Sequence, residues 1–171
     1  MKKKVVLSTA VVAFFLALLI TLYPLVSTTY NQQHQSQIHL QHQEQVDAAD
    51  DGTLEAAWEL AEAYNAALVP GVQDLERFTP EQLEAAAEGY KDLLDIAGDS
   101  ILCYVTIPKL DVCLPVYHGT SDAVLELGLG HLLGTSLPIG GSSSHSVITG
   151  HSGLASQRLL SDLDQLEPGD V

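Results

Sequence analysis

The chain has 171 residues and a formal net charge of -15, from seven Lys+Arg against 22 Asp+Glu, and 46% of it is hydrophobic. Three of the basic residues are Lys2, Lys3 and Lys4, so the remainder is strongly acidic and lacks the clustered basic footprint that nucleic-acid binding needs; DNA and RNA partners are excluded. The hydrophobic share is too high for a disordered chain, and two cysteines build neither a disulfide scaffold nor a four-thiolate metal site.

Residues 1–4 form a basic end, and Val5 to Val26 follows without a charge. About 22 residues at a 1.5 Å rise match a hydrocarbon core of roughly 30 Å. The apolar run is longer than that of a signal peptide, and Ser27-Thr28-Thr29-Tyr30 offers no small-x-small cleavage site. An uncleaved transmembrane helix is therefore preferred to a cleaved signal peptide. The positive-inside rule keeps the lysines cytoplasmic and puts residues 30–171 outside. This predicts a single-pass protein of the cell membrane, touching lipid through residues 5–26.

Residues 31–45 are polar apart from Ile38 and Leu40 and read as a solvated helical stalk. Its histidines, His34, His39 and His42, lack a fixed carboxylate partner and are expected to be solvated rather than metal-bound. From Leu54, the positions Leu54, Ala57, Trp58, Ala61, Tyr64 and Leu68 follow the three-four spacing of an amphipathic helix that stops before Pro70-Gly71. A second helix is predicted to open at Thr79-Pro80-Glu81-Gln82, with Thr79 as cap, Pro80 in the first turn and Gln82 completing a capping box. Leu83, Ala86, Ala87, Tyr90, Leu93 and Leu94 give it one buried stripe, and Gly98 ends it. Fourteen of the 22 acids lie between Asp47 and Asp99, as solvated faces of these helices.

After Asp99 the pattern becomes extended. Ile101–Ile107 and Val112–Tyr117 are β-rich runs joined by Pro108-Lys109-Leu110-Asp111, which predicts a hairpin. Thr120-Ser121-Asp122 can start a short helix through Leu127, ended by Gly128, and a strand is predicted at Ser146–Thr149. The region from Ile101 to Val171 is thus mainly β, preceded by helices.

Four histidines lie in the β region: His118, His131, His145 and His151. His151 is the candidate acid or base, since it follows a strand that ends at Gly150 and precedes Gly153, an exposed position on a rigid scaffold; a plain turn histidine is the alternative. No short-spaced metal-ligand pair is present, so neither a metal nor a cofactor is expected. Cys103 and Cys113 sit within predicted strands and read as core cysteines. No Gly-x-Ser-x-Gly elbow occurs. The residues alone offer a base without a nucleophile.

Several ordered motifs resemble one family. They are Tyr104-Val105-Thr106-Ile107-Pro108-Lys109-Leu110, Leu114-Pro115-Val116-Tyr117-His118-Gly119-Thr120-Ser121 and Gly130-His131-Leu132-Leu133-Gly134-Thr135-Ser136-Leu137-Pro138-Ile139-Gly140-Gly141, followed by His145-Ser146-Val147-Ile148-Thr149-Gly150-His151-Ser152-Gly153-Leu154 and Leu163-Asp164-Gln165-Leu166-Glu167-Pro168-Gly169-Asp170. Together they resemble the first half of the catalytic domain of class C, pilin-polymerising sortases of Gram-positive bacteria. The resemblance implies an eight-stranded β-barrel, present only in part, behind a transmembrane helix. It implies the division 1–4 basic end, 5–26 anchor, 27–99 helical stalk and lid region, and 100–171 first part of the barrel. It also implies a cysteine transpeptidase that cleaves an LPxTG-like sorting signal between Thr and Gly and joins it to a pilin lysine amine, with pilin subunits as partners. His151 matches the family's catalytic histidine.

The sequence departs from the family at two places. The family's cysteine, in a Thr-Leu-x-Thr-Cys motif, and its arginine are expected beyond Val171. Cys103, Cys113, Arg77 and Arg158 match neither, so these 171 residues alone are expected to be inert, and a catalytically inactive extracellular module that binds sorting signals or pilins is the second reading. Where the family carries an Asp-Pro-aromatic lid, this chain has Gly71 to Phe78; Asp74 and Phe78 are the lid candidates, in a different arrangement.

Overall fold

The computed structural model describes residues 2–68, 87, 89–153 and 159–170. Helix α1 (Lys2–Asp47) is one unbroken helix with Pro24 inside it. Apolar side chains of its first half, such as Phe14, Phe15, Leu19 and Ile20, stand exposed. The helix is long and apolar enough to cross a membrane, and its apolar part is not buried by any of the described residues, consistent with membrane anchoring.

The second half of α1 is not a freely solvated stalk. Thr28, Asn31, Gln35, His39, His42 and Val46, spaced three or four apart, are half-buried and form one face. His39 meets Tyr104 edge-on at a ring separation of 4.4 Å, and His42 lies 5.4 Å from the same ring. His42 Nδ1 is 2.9 Å from Asp99 Oδ2. The expectation of solvated histidines fails for this pair, because Tyr104 offers them an aromatic face and Asp99 a carboxylate. His34 is exposed as expected, stacked on Tyr30.

Helix α2 (Asp51–Ala67) starts three residues earlier than its apolar spacing suggests, because Asp50 caps it: Oδ1 accepts from the Thr53 amide at 3.0 Å. Its inner face carries Leu54, Ala57, Ala61 and Tyr64, while Trp58, placed in the same stripe by spacing, is exposed and donates to Glu62. The predicted helix from Thr79 lies largely outside the described residues. Its second half is corrected: Gly89 takes φ +75 and Leu94 φ +60, so the chain runs through a single 3-10 turn (Tyr90–Asp92) rather than an α-helix.

Strands β1 (Ile101–Ile107) and β2 (Val112–His118) form the expected antiparallel hairpin, joined by a 3-10 turn at Pro108–Leu110 with Asp111 left-handed. Helix α3 (Asp122–Leu127) then crosses to β3 (Leu129–His131), which pairs parallel to β2, and β4 (Ile148–Thr149) pairs antiparallel to β3. The sheet order is β1-β2-β3-β4. Gly130 is obligatory at the β3 crossing, since a Cβ there would stand 2.3 Å from the Gly119 carbonyl oxygen.

Two apolar clusters hold the sheet. Ala61, Tyr90, Leu102 and Leu137 pack under α2; Leu114, Val116, Leu129 and Leu159 fill the other. Cys103 touches both, which bears out its reading as a core cysteine. Directly opposed residues share a face, and Cys103 opposes Val116 whereas Cys113 opposes Thr106. Positions 103 and 106 point to opposite faces, so the two thiols lie on opposite sides of the sheet and are free.

Candidate functional site

His151 follows β4 by two residues and is half-buried. Its backbone is held from both sides: Thr149 is paired to Gly130 in the ladder, and the His151 carbonyl accepts from the Leu160 amide at 3.3 Å. Beyond it, Gly153 donates to Ser161 Oγ at 2.8 Å. The His151 ring makes no hydrogen bond with another of the described residues. The strand end is where the sequence puts it, but the position is half-buried rather than exposed. Asp74 and Phe78 lie outside the described residues.

Neither cysteine can serve this histidine from where it stands. Cys103 and Cys113 belong to β1 and β2, and His151 follows β4. Strands are spaced about 4.8 Å apart, which puts β1 about 14 Å and β2 about 10 Å from β4, beyond the reach of a thiol–imidazole hydrogen bond. Burial also pushes the Cys103 thiol up to about 11, so it is protonated at neutral pH. Among the described residues no three histidine, cysteine or carboxylate side chains are grouped to hold a metal.

The other three histidines divide sharply. His145 is exposed, and only its backbone is engaged, exchanging two hydrogen bonds with Ser136. His118 is buried, with Nε2 2.8 Å from the Leu93 carbonyl, and closes the turn that follows Tyr90. His131 is fully buried on β3. Its Nδ1 is 2.7 Å from the Tyr90 hydroxyl and its Nε2 is 2.9 Å from the Ser136 carbonyl. Burial, reinforced by the neighbouring His118, lowers its imidazole below the ordinary value. The sequence offers His131 only a weak part in a metal set with His145 and His151 and no sign of its contact with Tyr90, because a buried polar contact across 41 residues leaves no periodic trace.

Comparison with known proteins gives one family and one set of folds. The sortase-domain family model matches residues 105–171. Among solved structures, the chain is similar to sortase C1 of Streptococcus agalactiae, at 37% identity and a TM-score of 0.66, over 77% of this chain and 65% of that one. It is equally similar to a sortase C of Streptococcus pneumoniae, at 37% identity and a TM-score of 0.66, over 78% and 65%. For sortase C-1 of the same species the values are 34% and 0.60, over 81% and 67%. The chain therefore spans about two thirds of the length of these structures. No curated protein matches it.

Proposed function

This chain belongs to the class C sortases, and on that premise we propose that it supplies the anchored, histidine-bearing part of a cysteine transpeptidase acting outside the cell. The substrate in this reading is a protein with an LPxTG-like sorting signal, and the acceptor is a lysine amine of a pilin subunit. The observation that supports it most is a family match beginning in β1 together with His151 at the end of β4.

The chemistry assigned to His151 follows from what an imidazole can do. A cysteine thiolate attacks the Thr carbonyl of the signal, forming a C–S bond as the Thr–Gly C–N bond breaks, and the His151 imidazolium gives its proton to the departing Gly amine. In the second half the lysine amine attacks the thioester carbonyl. His151, now neutral, takes the amine proton as the thiolate leaves, so protons and electrons balance over the cycle. The thiolate and the arginine that would steady the oxyanion are not assigned to any residue of this chain.

The test is expression of the complete open reading frame with a sorting-signal peptide and a lysine-bearing acceptor. Product formation should fall by about 10²- to 10⁴-fold in His151→Ala. An unchanged rate removes His151 from the reaction. A second reading is an inactive module that binds sorting signals. Peptide-dependent shifts at β4 without any turnover from the complete frame would favour it.

A further inference from the structure

We propose that Tyr90 and His131, acting with Thr135, are positioning residues for His151: they set the register of the β3–β4 pair that presents it. This inference deepens the proposed role of His151 and rests on that reading.

The groups form a hydrogen-bond path that fixes the tautomer of His131, with the Tyr90 hydroxyl also 3.2 Å from the His131 carbonyl. The Ser136 carbonyl can only accept, so Nε2 of His131 carries the ring proton and donates to it at 2.9 Å. Nδ1 is then an acceptor, and the Tyr90 hydroxyl donates to it at 2.7 Å. The Tyr90 oxygen accepts in turn from the Gly119 amide at 3.3 Å, which ties in the end of β2. Thr135 Oγ1, 3.2 Å from the same His131 Nε2, shares that ring proton with the Ser136 carbonyl, donates to the Leu132 carbonyl at 2.7 Å and accepts from the Val147 amide at 3.2 Å. Leu132 donates to the Val147 carbonyl at 2.9 Å. His131 itself lies opposite Ile148 in the ladder.

Val147 is thus gripped at both its amide and its carbonyl, four residues before His151. β4 has only two ladder residues, too few to define a register alone. A one-residue slip would turn every following side chain to the other face. The buried path supplies the missing definition: His131 is 0% exposed and Tyr90 is 3% exposed, so water does not compete for these bonds. Burial keeps His131 neutral, as the path requires. A general acid displaced by about 1 Å loses much of its effect, so such support acts on function as well as on stability.

The experiment is NMR on the intact chain in detergent micelles, with histidine rings observed through two-bond ¹H–¹⁵N couplings. The wild type should show His131 as a single Nε2–H tautomer. In Tyr90→Phe and Thr135→Val, the His151 ring signals should move and Val147 amide exchange should accelerate about tenfold; Thr135→Ser, which keeps the oxygen, should restore both. Unmoved His151 signals in Thr135→Val overturn the proposal, even if Val147 exchanges faster, since that would be a local structural effect only. A His131 Nδ1–H tautomer overturns it as well. Should Tyr90→Phe fail to fold, the Val and Ser variants at Thr135 decide. Because no turnover is measured, failure here is distinct from failure of the sorting-signal assay.

Discussion

Asn65 grips the backbone of Leu137 with both ends of its side-chain amide, across 72 residues of sequence: Oδ1 accepts from the Leu137 amide at 2.7 Å and Nδ2 donates to the Leu137 carbonyl at 3.1 Å. Leu137 is fully buried, so neither backbone group has water as an alternative. Asn65→Ala should cost about 2 kcal/mol, read as a lower denaturant midpoint. Asn65→Asp can donate to the carbonyl only when protonated, so its folded carboxyl is raised. Its stability should recover as pH falls and be lost as pH rises through that value, the reverse of an ordinary surface carboxylate.

His131 predicts the opposite pH dependence. Its folded imidazole is held below the ordinary 6.5. Below about pH 6.5 the unfolded chain takes up a proton that the folded chain does not, so this contribution is present above that pH and lost as pH falls toward the folded value. Melting temperatures measured from about pH 7.5 down to 5 should fall for the wild type. His131→Gln should be less stable throughout and should lack this part of the slope.

Cys103 should resist alkylation. With its thiol pushed up to about 11, roughly one molecule in a thousand is ionised at about pH 8, against about a quarter for an ordinary thiol. Iodoacetamide labelling of Cys103, followed by peptide mass mapping, should be at least about 100-fold slower than for a free thiol. The mapping should also find no Cys103–Cys113 disulfide, since the two thiols sit on opposite faces of the hairpin.

The contact between α1 and the sheet is also open to measurement. His42 is 12% exposed and Asp99 30%, so the pair is partly shielded from solvent. His42→Ala removes both the hydrogen bond to Asp99 and one of the two imidazoles that cover Tyr104, at a cost of about 1 kcal/mol. Amide exchange in residues 38–46 should accelerate about fivefold, with β2 and β3 unaffected. Equal acceleration throughout the sheet would mean that the contact supports the whole fold.

What was legible in the sequence follows from the range of the interactions. The long apolar helix, α2, the β1–β2 hairpin and α3 each rest on contacts within a few residues, and period or turn chemistry reveals them. Leu129-Gly130-His131 carries no strand signal, because three residues with a central glycine show no alternation; its partner strands define it. The stretch after Gly89 looked helical by spacing, yet the left-handed backbone at Gly89 and Leu94 serves the packing of Tyr90 and His118 beneath it. His39 and His42 looked solvated because the ring they cover, Tyr104, is encoded more than 60 residues away. His151 was legible as a strand-end histidine, whereas the Tyr90–His131 pair that stands behind it was not.

Helix α1 runs without a break from the apolar span into the face that lies on Tyr104. At a 1.5 Å rise its 46 residues make a rod about 69 Å long, with the sheet fastened to the upper part rather than hung from the end. Such a joint works as an axle. Turning the span by one helical position rotates it by about 100° and carries His151 round by the same angle. Insertion or deletion of a single residue near Ser27 would therefore turn the sheet to a different bearing about the apolar half of the helix while moving it along the axis by only about 1.5 Å.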